Sequence, residues 1–90
     1  MLGDFMKKLV VISAVWCPSC LVMSKYLKKI KENFNIEIEK LDYDFDEEEV
    51  KKYNVDKKLP VLILLEDEKE IKRITGEKDY NDIEEFIKED

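Results

Sequence analysis

A small α/β fold is predicted here, in the order β-α-β-α-β-β-α, with a four-stranded mixed sheet flanked by helices. Three observations predict it. Two continuous apolar runs, Leu9–Val15 and Leu59–Leu65, have the length and composition of strands covered on both faces. Between and after them, apolar residues recur at steps of three and four, the period of a helix with one buried stripe. Ninety residues leave room for one core, so 1–90 reads as a single domain, with the aperiodic Met1–Met6 as a tail.

The elements come in order. Lys8 to Ala14 forms the first strand. Cys17 or Pro18 then opens a helix to about Asn33, with Cys20, Met23, Leu27, Ile30 and Phe34 as its stripe. Lys25, Lys28, Lys29 and Lys31 fall largely on the opposite side, and Met23 reads as core filler. Ile36 to Leu41 alternates at period two, a strand with one polar face. Asp46 with Glu49 fits a helix N-cap, and Phe45 with Val50 fits a hydrophobic staple around it, opening a short helix that ends near Tyr53 or Asn54. Leu59 to Leu65 carries Pro60 at its beginning, where a missing N–H is tolerated. A turn at Glu66 to Lys69 and a strand from Glu70 to Ile74 complete a hairpin. Gly76 breaks the chain, Asp79 caps, and Tyr80, Ile83, Phe86 and Ile87 mark a last amphipathic helix. The first two strands, joined through a helix, should run parallel; the hairpin adds antiparallel strands.

Composition excludes several function classes. The chain has no histidine, which removes Ser-His-Asp and Cys-His catalysis, His-ligated zinc and imidazole pH switches. Sixteen basic against 22 acidic residues give a net charge of −6, so nucleic acid is not expected as a partner. Tyr26, Tyr43, Tyr53 and Tyr80 are scattered rather than arrayed as a stacking platform for single strands. No stretch approaches the roughly 18 apolar residues of a membrane span. Lys7 and Lys8 before an apolar run imitate a secretory signal, but Trp16 stands where a small residue should precede a cut. A cytoplasmic location is therefore expected. Asp42, Asp44 and Asp46 alternate like the first ligands of a calcium loop, yet Glu47 replaces its glycine and Tyr53 its last ligand, so a solvated acidic cap is the ordinary reading.

The chemistry rests with Trp16-Cys17-Pro18-Ser19-Cys20, set between a buried strand and a helix. A cysteine at a helix start meets unpaired N–H groups and the positive end of the helix dipole, which favour its thiolate. Pro18 fits the first turn because the N–H it lacks would be unpaired anyway. Cys20, nearly one turn inward on the apolar stripe, should be the more buried and less acidic of the two. An exposed attacker beside a shielded resolver is what thiol–disulfide exchange requires. The competing reading is a metal or iron–sulfur module dimerised through two Cys pairs, since one pair alone supplies only half of a tetrahedral site. An inert structural disulfide would close too small a loop to stabilise much.

The strand, Trp-Cys-x-x-Cys and helix, followed some forty residues later by Leu59-Pro60 leading a strand, resemble the thioredoxin and glutaredoxin superfamily. The similarity runs from about Lys7 to Lys88. It implies a thioredoxin-like fold in minimal, glutaredoxin-sized form, and a protein disulfide oxidoreductase of electron transport and cell redox homeostasis. By the family's pattern Cys17 is the nucleophile and Cys20 the resolving thiol, both catalytic. Pro60 matches the family's cis-proline, and Leu59 before it meets the substrate backbone. With Trp16 and Pro18 these two make up the expected substrate-binding set. No bound cofactor or metal is implied beyond the redox-active Cys17–Cys20 disulfide. The implied partners are a disulfide-bearing protein or small molecule and, as electron donor, a thiol reductase or glutathione; a monomer is expected. Departures from the family are specific. Val11 stands where thioredoxins carry a buried acid, and Ser19 where glutaredoxins favour tyrosine. Leu59 and Thr75-Gly76-Glu77-Lys78-Asp79 match the glutathione-binding pattern loosely, whereas Lys40-Leu41-Asp42 looks like the lysine-bearing strand of thioredoxins.

Overall fold

The computed structural model describes residues 7–34, 36–55 and 58–88; the tail expected at Met1–Met6 lies outside them. The elements are β1 (Lys7–Ser13), α1 (Pro18–Phe34), β2 (Glu37–Asp42), α2 (Glu47–Lys52), β3 (Val61–Glu66), β4 (Lys69–Thr75) and α3 (Tyr80–Lys88), in the expected order. The sheet runs β2-β1-β3-β4. β1 and β2 are parallel, and β3 is antiparallel to both β1 and β4. The third strand begins at Val61, just after Pro60, because proline has no N–H to donate to a ladder.

β1 and β3 lie in the middle of the sheet, and successive side chains on a strand point to opposite faces. On one face Leu9, Val11, Leu62 and Leu64 pack with Met23, Leu27 and Ile30 of α1 and Ile83, Phe86 and Ile87 of α3. On the other, Val10, Ile12, Val61, Ile63 and Leu65 pack with Leu41 and with Val50 of α2. Burial on both sides is why these two strands read as unbroken apolar runs. Each such side chain contributes about 1.5–3 kcal/mol by leaving water.

The β3–β4 hairpin turns through Asp67 and Glu68, both left-handed with φ of 53° and 69°. Two positive φ values in a two-residue loop give the turn whose twist matches that of paired strands. Arg73 on β4 ties the hairpin to the end of α2. Its guanidinium donates to Glu70 at 2.6 and 2.8 Å and to the Tyr53 carbonyl at 2.8 Å. The Glu70–Arg73 bonds hold the Glu70 carboxyl below its ordinary range and the Arg73 guanidinium above its own.

The two short helices start differently. At α3, the Asp82 N–H donates to Asp79 Oδ1 at 2.9 Å and the Asp79 N–H returns a bond to Asp82 Oδ2 at 3.4 Å, a reciprocal cap. At α2 the expected cap and staple are absent: Asp46 makes no side-chain cap bond, and Phe45 is 79% exposed. The preceding turn claims these groups. Asp46 Oδ2 accepts the Asp42 N–H at 2.8 Å, Asp42 Oδ1 accepts the N–H groups of Asp44 and Phe45, and the Tyr43 N–H is bound to the Ser13 carbonyl. Val50 in the core and three glutamates at the positive end of the helix dipole support α2 instead.

Asp79→Ala should lower the unfolding free energy by about 1 kcal/mol. Ile63→Ala, at a fully buried site in β3, should cost about 2–5 kcal/mol. Both would be read as urea midpoints at unchanged slope. Because folding depresses the Glu70 carboxyl, its contribution is complete above the ordinary glutamate range and drains away as pH falls through and below it. Glu70→Gln should therefore flatten the acid limb of a stability–pH curve and leave its shape near neutrality unchanged.

Candidate active site

β1 ends at Ser13, and four residues carry the chain from it into α1. The Cys17 N–H donates to the Ala14 carbonyl at 3.1 Å, while the Cys17 carbonyl accepts the N–H groups of Cys20 and Leu21 at 3.2 and 3.4 Å. Cys17 thus holds the N-cap position, with Pro18 as the first helical residue. Its sulfur behaves as a capping side chain: the Cys20 N–H also donates to Cys17 Sγ, at 3.2 Å. The two cysteines are joined as a disulfide, their Cα atoms 5.3 Å apart.

The expected contrast in exposure does not hold. Cys17 is 5% and Cys20 9% exposed, so the first cysteine is as shielded as the second. A helix-start position fixes the backbone, but not what packs over the side chain. Here Tyr43, from the turn after β2, and Leu59 close against Ala14, Cys17 and Cys20. What separates the two sulfurs is hydrogen bonding rather than burial.

Leu59 and the buried Pro60 are joined by a cis peptide bond. The Pro60 carbonyl accepts the Gly76 N–H at 2.9 Å, and Gly76 has φ of 95°, where any side chain would be strained. Two residues on, the Lys78 N–H donates to Met23 Sδ at 3.3 Å. Held at both ends, the β4–α3 loop lays Glu77 against the motif, where its Oε1 accepts the Ser19 hydroxyl at 3.0 Å. On the other flank, Trp16 donates from Nε1 to Asp44 Oδ2 at 2.6 Å and meets Tyr43 edge-on at 6.4 Å.

Around the disulfide, Val15, Trp16, Leu21 and Val22 are exposed, as is Pro18. Trp16, Pro18 and Leu59 therefore gather about the Cys pair, with Pro60 directly behind Leu59. Val11 is buried in the apolar cluster under α1, and Lys40 is exposed on β2. Asp44 joins the site without having been expected there, and Glu77, named from the sequence only within a loose match to the glutathione-binding turn, joins it through Ser19. The Asp42-Asp44-Asp46 alternation reads as a solvated turn, and nothing local links Asp44 to a tryptophan 28 residues earlier. For Glu77 the available signal was Gly76, a chain break that redirects the residues after it. Among the described residues no cluster of three or more His, Cys, Asp or Glu side chains is placed to hold a metal ion. No helix among them is long and apolar enough to cross a membrane.

The sequence model of the thioredoxin family matches residues 4–89. The chain belongs to the thioredoxin family. Solved thioredoxins superpose on nearly all of it. Thioredoxin-2 of the malaria parasite, described as a component of that parasite's protein secretion machinery, is 28% identical over 94% of this chain and 84% of its own, with a TM-score of 0.84. Fasciola hepatica thioredoxin is 27% identical over 90% of this chain and 77% of its own, at a TM-score of 0.84. Oxidised mitochondrial thioredoxin 3 of Saccharomyces cerevisiae is 26% identical over 92% and 77%, again at 0.84. No curated protein matches the sequence closely enough to count as a relative. This thioredoxin is a thiol–disulfide oxidoreductase that works by dithiol exchange through Cys17-Pro18-Ser19-Cys20, its redox group being the disulfide itself. Its family acts on disulfide-bearing proteins and is served by reductases.

The chain's single tryptophan makes its emission a reporter of this corner alone. Asp44→Ala should free the indole and lower its steady-state fluorescence anisotropy. The lost bond should also cost about 0.5–1.5 kcal/mol in urea unfolding. An unchanged anisotropy would mean that Tyr43 alone holds the ring.

Proposed function

We propose that Cys17 is the attacking thiolate and Cys20 the resolving thiol, and that Trp16, Pro18, Leu59 and Pro60 form the surface that receives the substrate. The observation that carries the assignment is the Cys20 N–H at 3.2 Å from Cys17 Sγ. A hydrogen bond donated to sulfur stabilises the charged form over the neutral thiol, and the N-cap position adds the field of the helix start. No corresponding donor reaches Cys20 Sγ among the described residues.

In the reducing direction Cys17 thiolate attacks one sulfur of the substrate disulfide. A mixed disulfide forms and the first substrate sulfur leaves as thiolate. Cys20 then loses its proton and attacks Cys17 Sγ, which releases the second substrate sulfur and closes the Cys17–Cys20 bond. Two electrons pass from the pair to the substrate, and an external reductase or glutathione restores them. The exposed apolar side chains around the pair suit a protein segment laid across it. The chain is read as one domain acting as a monomer in the cytoplasm, in electron transport and redox homeostasis. A glutaredoxin-like use of glutathione is separated from reductase-linked turnover by supplying each donor in turn.

The test is trapping. Cys20→Ser should accumulate a mixed disulfide on Cys17, detected by mass spectrometry, while Cys17→Ser should form no adduct. Both exchanges replace sulfur by oxygen at little change of volume, so the fold should survive them. An adduct on Cys20 with none on Cys17 would reverse the order of attack. Turnover by Cys20→Ser with glutathione, but not with a reductase, would place the protein with the monothiol users.

A further inference from the structure

A second surface of defined chemistry lies along α1. Ser24, Lys25, Leu27, Lys28 and Lys31 face Ile38 and Lys40 of β2 across a groove of about 690 Å³. In a chain of net charge −6, this helix carries four lysines and one glutamate. The strand pleat keeps the signs apart. Ile38 and Lys40 point into the groove, whereas Glu37 and Glu39 point to the other face of the sheet, where Lys8 approaches them at 4.0 and 2.6 Å. Among the described residues no carboxylate lies within ion-pairing distance of Lys25, Lys28, Lys31 or Lys40. Lys28, Lys31 and Lys40, together with Lys25, whose Nζ lies 5.3 Å from the Tyr26 ring centroid, thus border a floor that includes Leu27 and Ile38.

We propose that this groove binds an acidic polypeptide segment of the protein with which the disulfide exchanges electrons. Three features select a carboxylate-rich peptide. The groove is a channel, following α1 for about 10 Å from Ser24 to Lys31. Its floor is apolar between the lysines, which suits alternating acidic and apolar side chains. It has no arginine fork and no helix N-terminus, the groups that grip phosphate bidentately or through backbone N–H. The channel also leads towards the active face: Leu21, 71% exposed beside Cys20, lies on the same side of the helix, three and four residues before Ser24 and Lys25. A segment lying in it would bring its flanking chain to the Cys pair. Charge complementarity of this kind raises encounter rates and excludes wrong partners more than it adds contact energy.

Naming the occupant as a redox partner rests on the proposed exchange chemistry; the binding surface itself does not. The test uses a fluorescein-labelled peptide of about ten residues, rich in glutamate with interspersed leucines, followed by anisotropy at about 20 and about 200 mM salt. Saturable binding is expected at low salt. Lys28→Glu combined with Lys31→Glu should weaken it about tenfold or more, as should the higher salt. Lys51→Glu with Lys52→Glu, on α2 outside the groove, should leave it unchanged. Reduction of hydroxyethyl disulfide by the groove variant should match the wild type, because that substrate is too small and uncharged to use the surface. Equal weakening by the two lysine pairs, or no saturable binding, would overturn the proposal. Tighter binding of inorganic polyphosphate or a single-stranded oligonucleotide than of the peptide would overturn the choice of occupant. Failure of the wild type to reduce hydroxyethyl disulfide would remove the exchange reading while leaving the peptide result standing.

Discussion

Burial of β1 on both faces anchors everything else in this fold. The strand is hydrogen-bonded to β2 on one side and β3 on the other, and its side chains are covered by α1 and α3 above and α2 below. A strand fixed from four directions delivers its C-terminal end to one place. There the chain leaves the sheet, turns once through Val15 and Trp16, and enters α1 at Pro18. The redox pair sits at this exit, so the rigidity of the sheet is passed directly to the sulfur atoms. A loop-borne pair would lack that support.

The exit alone does not make the site. Three segments distant in sequence close on it: Tyr43 after β2, Leu59-Pro60 before β3, and the loop from Gly76 to Asp79 after β4. All leave or enter the sheet at the same end as Cys17. Backbone hydrogen bonds pin them to one another and to the strand end, Tyr43 to Ser13 and Gly76 to Pro60. Shielding of both sulfurs results from this closure, as does the hydrogen-bonded flank on either side, Asp44 with Trp16 and Glu77 with Ser19.

Charge is divided just as sharply. Acidic side chains flank the motif and crowd the start of α2, while lysines collect along α1 and at Lys40. Alternation on β2 separates the two sets across the sheet: residues 37 and 39 go one way and residues 38 and 40 the other. The net charge of the chain conceals this division entirely.

Element order, the buried strands and the helix stripe were legible because each depends on local periodicity, which neighbouring residues carry by themselves. The cap at Asp79 and the placement of Pro18 were legible for the same reason, though the return bond to Asp82 was not. The α2 cap was not: Asp46 has the right residue type at the right place, but the turn from Asp42 takes its carboxylate first. Nor could local reasoning show that Cys17 is covered, since the covering residues lie about 26 and 42 positions away. Amino-acid order was enough for the fold class, the redox-active pair and the side of the helix that carries the lysines. It took the folded chain to settle how the two sulfurs differ, which carboxylates reach Trp16 and Ser19, and that Lys40 joins the lysines of α1. Those facts depend on contacts between distant segments, which form only when the sheet brings the strand ends together.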